Sequence, residues 1–376
     1  MTSHTSGHRP LRPHWNRSTS ANRDLSGHAP VPSSGKPDVA TCIRSGRTES
    51  LAALFSSAPT LALDLSGAAL TGAHAQTLAT WLSTCPIPIR LELHNNRLQN
   101  TGASALAALL SANVPLTVLD LSSNRITPPG VSAIASSLRG NRQLSRLSLA
   151  GCNFDKSAAD ELASALAGNG TLKRLNLFNC RAPHEALKAI VDAIAANACI
   201  TSLNLGALGA AGEGIAWADM LAANTRLCRL NLYRNPIDDR GFAALAASLA
   251  TNTTLTTLKL KGEPLTRRRL EQLLDALASN RTLCVLDFAS TSDDSAAAKI
   301  KEILRRNTVE SFQTRFALQW LLKSCGSGFD IPFDVTKEII TALSHHQDAN
   351  PQERKTSDAV LKYFQDGSGG KPAEDQ

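Results

Sequence analysis

The chain has 376 residues, 43% of them hydrophobic, and a formal net charge of +7. It contains no apolar run of about 18 residues, and its N-terminus lacks the apolar stretch of a cleavable secretory signal, so we expect neither a membrane span nor a leader of that type. The excess of cations forms no basic stripe with interleaved aromatic residues, so we expect no nucleic-acid partner.

The N-terminal region is predicted to consist of a tail and a cap. Residues 1–40 are rich in Ser, His, Arg and Pro and contain almost no aliphatic side chains, which is typical of a disordered segment. Their histidines are too scattered for a metal site, and we predict no metal or other cofactor. Residues 41–60 are expected to form an N-terminal helical cap, with a helix over 48–56 that covers the first repeat.

A repeat of 28 residues organises positions 61–307. Its clearest unit has leucines at positions 116, 119 and 121 and an asparagine at 124, followed by an amphipathic helix pattern up to Asn141. The central leucines recur at Leu63, Leu91, Leu119, Leu147, Leu175, Leu203, Leu230, Leu258 and Leu286. Asparagines that mark the helix ends recur at Asn113, Asn141, Asn169, Asn197, Asn224, Asn252 and Asn280. Two ladders with one period predict an array of nine units.

The repeat text identifies a fold family. The segments LELHNNRLQNTGASALAALLSAN, LDLSSNRITPPGVSAIASSLRGN and LNLYRNPIDDRGFAALAASLATN resemble the ribonuclease-inhibitor-like class of leucine-rich repeat proteins. The resemblance implies an α/β fold, a curved leucine-rich-repeat solenoid with a parallel β-sheet inside, helices outside and helical caps. A crossover helix between consecutive strands independently favours a parallel sheet.

Residues after the array are predicted to be helical. We expect a C-terminal helical cap over 308–325, with its helix over 311–323, a small helical segment over 326–366 and a disordered tail over 367–376. Part of the small segment resembles the opening helix of an F-box, at Ile331, Pro332, Asp334, Val335, Ile339 and Leu343. That resemblance implies docking to a Skp-type adaptor of a cullin ubiquitin ligase. Any amphipathic helix that begins with proline is the alternative interpretation.

Enzymatic residues are not apparent. The eight cysteines form no C-x-x-C pair and several recur at fixed places in the repeat, which indicates reduced thiols in the core rather than disulfides or zinc ligands. There is no P-loop, G-x-S-x-G or H-E-x-x-H motif, and Cys325 and the pair His345 and His346 have no placed catalytic partner. We therefore expect a protein that is not an enzyme.

The candidate binding residues lie on the predicted concave face. Side chains that alternate with the buried strand leucines must point to that face. Acidic residues fall toward its N-terminal end, and a second group clusters toward its C-terminal half: Arg146, Arg174, Asn176, Phe178, Arg229, Asn231, Tyr233, Lys259 and Lys261. Exposed aromatic residues beside arginine are typical of protein interfaces, so we expect a protein partner with an acidic patch. An ordinary solvated sheet face is the alternative.

The alanine- and arginine-rich sequence, with segments such as GASALAALL and NTTLTTL, also resembles the leucine-rich effectors that plant-associated bacteria inject into host cells. This resemblance implies that the Ser-rich N-terminus is a type III secretion signal and that the repeats act on a host protein. If the F-box interpretation holds, the repeats would choose the substrate of a ubiquitin ligase. The alternative is an endogenous cytoplasmic scaffold or regulator with no role in secretion.

Overall fold

The computed structural model describes residues 38–49, 51, 59–209, 212–262, 265–289 and 293–324. The predictions for 1–37 and for 325–376 lie outside these residues. They include both tails, Cys325, the histidine pair and the F-box-like segment. No helix in the described part of the chain combines the length and apolar character that a membrane span requires.

Nine strands in the described part form one parallel sheet, in which each strand pairs with the next one in sequence. They are β1 (Leu61–Asp64), β2 (Ile89–Glu92), β3 (Leu116–Asp120), β4 (Arg146–Ser148), β5 (Arg174–Asn176), β6 (Ser202–Asn204), β7 (Arg229–Asn231), β8 (Thr257–Lys259) and β9 (Val285–Asp287). The predicted curved α/β solenoid is confirmed. Its sheet is parallel because a helix returns the chain between every two strands.

Ten helices accompany the strands in the described residues. They are α1 (Val39–Ser45), α2 (Gly72–Leu82), α3 (Gln99–Ser111), α4 (Pro128–Leu138), α5 (Lys156–Gly168), α6 (His184–Ala196), α7 (Gly214–Ala223), α8 (Asp239–Thr251), α9 (Arg267–Ser279) and α10 (Asp294–Ser324). Neighbouring helices approach closely where a glycine lies in the first turn of each. A Cβ atom on Gly241 of α8 would lie only 2.7 Å from the Cα atom of Gly214 in α7.

The central leucines form the spine of one continuous core. Leu91 pairs in register with Leu119, and Leu119 pairs with Leu147. All nine central leucines are buried and belong to a single hydrophobic cluster that also contains the inner faces of the helices. Burial of a leucine side chain contributes about 1.5–3 kcal/mol. The repeated burial therefore makes each unit depend on its neighbours rather than on a core of its own.

Buried asparagines close the turns after β2, β3 and β7. The Asn124 amide nitrogen donates to the carbonyl oxygens of Leu93, at 2.8 Å, and Leu121, at 3.1 Å. Cys180 occupies the same position in its repeat, and its thiol donates a hydrogen bond to the Leu149 carbonyl at 3.2 Å. These side chains satisfy carbonyl groups that the short strands leave without a ladder partner.

The asparagines at the helix ends connect consecutive repeats. Asn280 donates to the carbonyls of Leu249 and Asn252, at 2.7 and 3.0 Å. Its side-chain oxygen accepts from the backbone N–H groups of Thr282 and Leu283, at 3.0 and 2.8 Å. One buried amide thus satisfies both the end of the preceding helix and the start of the next strand.

A helix that we did not predict precedes the expected cap helix. This helix, α1, ends at Ser45 and includes two residues of the predicted tail, whereas most of the helix expected over 48–56 lies outside the described residues. Asp38 caps its start by accepting from Thr41 N, and Gly46 ends it at a φ of 73°. Of the predicted helix the structure describes Thr48, Glu49 and Leu51, where Leu51 N donates to Thr48 O in a tight turn.

At the C-terminal end, the last helix of the array and the predicted cap form one continuous helix. We expected the array to end at Asn307 and a separate cap helix to span 311–323, whereas α10 runs unbroken from Asp294 to Ser324. Asn307 still bonds to the Asn280 and Leu283 carbonyls, at 3.1 and 2.9 Å. The helix continues past it because no glycine or proline follows before Gly326.

Candidate functional site

The concave face of the sheet carries three rows of side chains. The first row directly precedes the central leucines, the second directly follows them, and the third lies two residues further on. The strand register aligns Arg146 with Arg174, and Ser148 with Asn176. The backbone ladder continues into the third row, where Asn179 N donates to Gly206 O at 2.8 Å. Residues of one row therefore follow one another from strand to strand.

The second row is less accessible than we predicted. Asn176 and Asn231 were expected as exposed contacts, but they are 3% and 7% exposed. The Asn176 amide nitrogen donates to Ser148 Oγ at 2.8 Å, and its oxygen accepts from Phe178 N at 3.0 Å. The oxygen of Asn231 likewise accepts from Tyr233 N at 2.9 Å. Both amides hold the strand-to-turn backbone, so we assign them a structural role.

Two aromatic rings meet in the third row. Phe178 follows β5 and Tyr233 follows β7, and their ring centroids lie 6.4 Å apart with an angle of 21° between the planes. Gly206, which follows the intervening β6, makes this possible, because a Cβ atom there would lie 3.0 Å from Phe178 Cδ2. The Arg234 guanidinium carbon lies 5.2 Å from the centre of the Tyr233 ring. Both rings are half-buried, so each keeps an exposed part.

Cations surround this aromatic pair. Arg146, Arg174, Arg229 and Lys259 are half-buried and Lys261 is exposed. The three arginines also interact with other parts of the protein. Over β4–β8 the three rows contain no carboxylate, whereas β1–β3 contribute Asp64, Glu92 and Asp120 to the second row. We name the five cations and the two rings the basic–aromatic surface.

Two buried thiols at the turns lack the properties of nucleophiles. Burial raises the pKa of Cys180 to about 12 and raises the pKa of Cys152 well above its usual value. Thiolate is the reactive form of cysteine, so both side chains are inert at neutral pH. The seven cysteines in the described part of the chain are free, and no cluster of three or more His, Cys, Asp or Glu side chains there is arranged to hold a metal ion.

One family model agrees with the repeat architecture, and two solved structures are similar to part of the chain. A family model described as Leucine Rich repeat matches residues 112–135, within the clearest unit. No curated protein matches the sequence. The structure titled Leiomodin-1 Actin-Binding Site 2 is 18% identical, covers 57% of this chain and 94% of its own, and has a TM-score of 0.29. The tropomodulin C-terminal domain from Caenorhabditis elegans is 12% identical, with coverages of 57% and 98% and a TM-score of 0.25.

The stacked repeats define a solenoid repeat protein, a class typically used as a scaffold for protein interactions. Residues 112–135 match the leucine-rich repeat model, and the nine-stranded parallel sheet has the architecture of a leucine-rich-repeat solenoid.

Proposed function

We propose that this protein binds a protein partner through the basic–aromatic surface. The observation that carries the proposal is the Phe178–Tyr233 pair, which is partly exposed among five cations and no carboxylates. Aromatic residues and arginine dominate the binding energy of protein interfaces, especially near the centre of the contact. The partner has an acidic patch, because complementary charge accelerates encounter and rejects unsuitable partners.

Two variants separate the aromatic contribution from the electrostatic one. Phe178→Ala with Tyr233→Ala removes both rings, and we expect binding to weaken by about 2 kcal/mol or more, the effect of truncating an interface hot spot. Lys259→Glu with Lys261→Glu reverses two charges, and we expect slower association and a weaker dependence on salt. Circular dichroism should stay unchanged in both, since none of the four side chains is fully buried.

The assay is affinity capture from a plant-cell lysate, with the captured proteins measured by mass spectrometry. The matched control is Arg240→Ala with Arg268→Ala, which removes two exposed cations from α8 and α9 and should leave capture intact. If both surface variants capture the same proteins as the unaltered chain, the basic–aromatic surface is not the binding site.

The cellular role that we propose rests on sequence resemblance. We propose a type III effector that acts on a host protein, supported by the Ser-rich N-terminus that lacks an apolar stretch. Residues 1–50 fused to a reporter should then be exported by a type III system. An endogenous cytoplasmic scaffold is the alternative, and it predicts no export.

The ubiquitin-ligase adaptor role is a separate proposal that depends on the F-box-like pattern of Ile331–Leu343. The full chain should then be retained by an immobilised Skp protein, and Pro332→Ala with Leu343→Asp should abolish retention. Failure of the unaltered chain to bind Skp would exclude this role without affecting the concave-face proposal.

A further inference from the structure

A second candidate site lies at the turns that follow β1, β2 and β3. A solvent-open hollow of about 350 Å³ is lined there by Gly67, Asn95, Arg97, Ser123 and Arg125, among others. The repeat brings these residues together, because Gly67, Asn95 and Ser123 occupy one turn position in successive units. Arg97 and Arg125 are likewise one period apart. We name this group the loop hollow.

The turns beneath the hollow are fixed by hydrogen bonds. Asn96 is 5% exposed, and its amide nitrogen donates to the Leu65 and Leu93 carbonyls at 2.9 and 2.8 Å. Its side-chain oxygen accepts from Leu70 N at 2.9 Å. Arg97 N donates to the Leu70 carbonyl at 2.8 Å, which anchors that arginine's backbone. The backbone of the site is therefore organised before any ligand arrives.

The polar side chains around the hollow have hydrogen-bonding capacity to spare. Within the described residues, the guanidinium groups of Arg97 and Arg125 make no hydrogen bond or ion pair, and neither do the side chains of Asn95 and Ser123. All four residues are exposed. No carboxylate lines the hollow. Two cations, an amide and a hydroxyl on one fixed set of turns are donors suited to a tetrahedral oxyanion.

We propose that the loop hollow binds the phosphate of a phosphorylated side chain in a partner protein. A guanidinium forms paired hydrogen bonds with phosphate oxygens, and a phosphoserine carries a charge of about −1.5 to −2 at neutral pH. Arg97 and Arg125 supply two forks against that charge. The hollow is far larger than a single phosphate, so part of the ligand backbone also enters it.

The surrounding charges favour a protein ligand over a nucleic acid. Asp64 and Glu92 lie three residues before Gly67 and Asn95, on the neighbouring concave face. Their carboxylates repel a continuous polyanion, but they attract basic residues that flank a single phosphate. No aromatic residue lines the hollow to stack a base. The ligand is therefore a phosphorylated residue in a basic sequence, which differs from the acidic partner patch proposed for β4–β8.

The test uses fluorescein-labelled peptides and the full chain. The probe is Gly-Lys-Lys-phosphoserine-Lys-Lys-Gly, and it is compared with the same peptide carrying serine. We expect the phosphorylated peptide to bind at least about tenfold more tightly in fluorescence anisotropy, a difference of about 1.4 kcal/mol. Equal binding of the two peptides would overturn the proposal.

Variants locate the site. Arg97→Ala with Arg125→Ala should abolish the preference for the phosphorylated peptide, and Arg97→Lys should reduce it, because lysine keeps the charge but loses the planar fork. Arg181→Ala is the matched control, since this exposed arginine has the same repeat position two units after Arg125 but lies outside the hollow. A preference that survives the double substitution would refute the assignment, provided circular dichroism shows an intact fold.

Two competitors distinguish other anion sources. Inorganic phosphate should displace the peptide only at much higher concentration, because it lacks the flanking basic residues. Displacement at equal concentrations would mean that the hollow holds a free anion and would overturn the peptide proposal. A single-stranded DNA oligonucleotide that competes more strongly than the phosphopeptide would also overturn it, in favour of a nucleic-acid ligand. None of these outcomes depends on the basic–aromatic surface.

Discussion

Replacement of a single asparagine at a helix end should lower the stability of the protein strongly, because one small side chain makes four hydrogen bonds there. Asn197 is 4% exposed and directly follows α6. Its amide nitrogen donates to the Leu166 and Asn169 carbonyls at 2.6 and 3.2 Å. Its oxygen accepts from the Cys199 and Ile200 N–H groups, both at 2.8 Å. Asn197→Ala removes all four hydrogen bonds and keeps the backbone in a conformation that alanine adopts readily.

The cost follows from the groups left without partners. A buried polar group that loses its hydrogen bond costs about 1–3 kcal/mol. Ile200 N–H is buried and loses its acceptor, whereas Cys199 is half-buried and recovers part of the bond with water. The Leu166 carbonyl keeps a bond from Asn169 N at 3.3 Å. We therefore expect Asn197→Ala to lower the free energy of unfolding by about 2–4 kcal/mol.

Urea denaturation followed by circular dichroism measures this change. The control is Asn153→Ala, an exposed asparagine in the neighbouring part of the array, which we expect to change stability by less than about 0.5 kcal/mol. If Asn197→Ala costs no more than the control, the hydrogen-bonded asparagine ladder is not a source of stability, and the sequence periodicity would need another cause.

Three further predictions concern packing and ionisation. Gly241→Ala should lower the free energy of unfolding by about 1–3 kcal/mol, because the added methyl group overpacks α7 against α8. In Gly168→Ala the added methyl group meets no atom within 4 Å, so this variant should raise the free energy of unfolding by about 0.4–1 kcal/mol. Urea denaturation of both variants measures these changes. Cys180, whose pKa burial raises to about 12, should resist iodoacetamide near pH 8 while half-buried Cys199 reacts, as peptide mass spectrometry would show. Burial raises the pKa of Glu213 above its unfolded value. The folded state therefore holds the proton of this carboxyl more tightly than the unfolded state, and the stability that this difference contributes at low pH is lost as the pH rises. Urea denaturation at several pH values should therefore show the unaltered chain losing stability relative to Glu213→Gln as the pH rises above the ordinary carboxyl pKa of 4.5, and a constant difference would contradict this.

The fold was predictable because the same short pattern recurs at a fixed interval. A single L-x-L strand carries little information, but the alignment of Leu119 with Leu147 follows once the period is known. The regular spacing also placed Asn197 and its equivalents at helix ends. The sequence did not reveal that one such amide serves two carbonyls and two N–H groups, because the carbonyls belong to the preceding repeat.

The caps were harder to predict because the period no longer applies there. Asp38 and Gly46 are recognisable end signals for a helix, yet the first of them lies within a segment whose composition resembles a disordered tail. At the other end, Asn307 matches the ladder that terminates earlier helices. Its position inside α10 shows that the asparagine itself does not end a helix. What ends the earlier helices is the turn and strand that follow, which the sequence after Asn307 does not supply.

The candidate site shows how far strand alternation can be taken. Alternation predicts a direction for Asn176 and Asn231, but direction is not exposure. A polar side chain directly after the central leucine lies within reach of the backbone N–H two residues later, and the amide oxygen is used there. The second row therefore maintains the turns, and a partner meets chiefly the first and third rows. Phe178 and Tyr233 belong to the third row, where Gly206 lets residues two strands apart touch. That contact depends on a missing side chain, so the aromatic residues alone did not predict it.

The charges divide the surface into two regions with different chemistry. Cations occupy the concave rows over β4–β8, whereas carboxylates occupy the second row over β1–β3, and Arg97 and Arg125 lie at the adjoining turns. Because a solenoid transmits contacts only between neighbouring units, a substitution in one region should leave the other unaffected. Arg97→Ala with Arg125→Ala should therefore leave capture by the basic–aromatic surface unchanged. Loss of both activities in that variant, with the fold intact by circular dichroism, would mean that one ligand spans both regions.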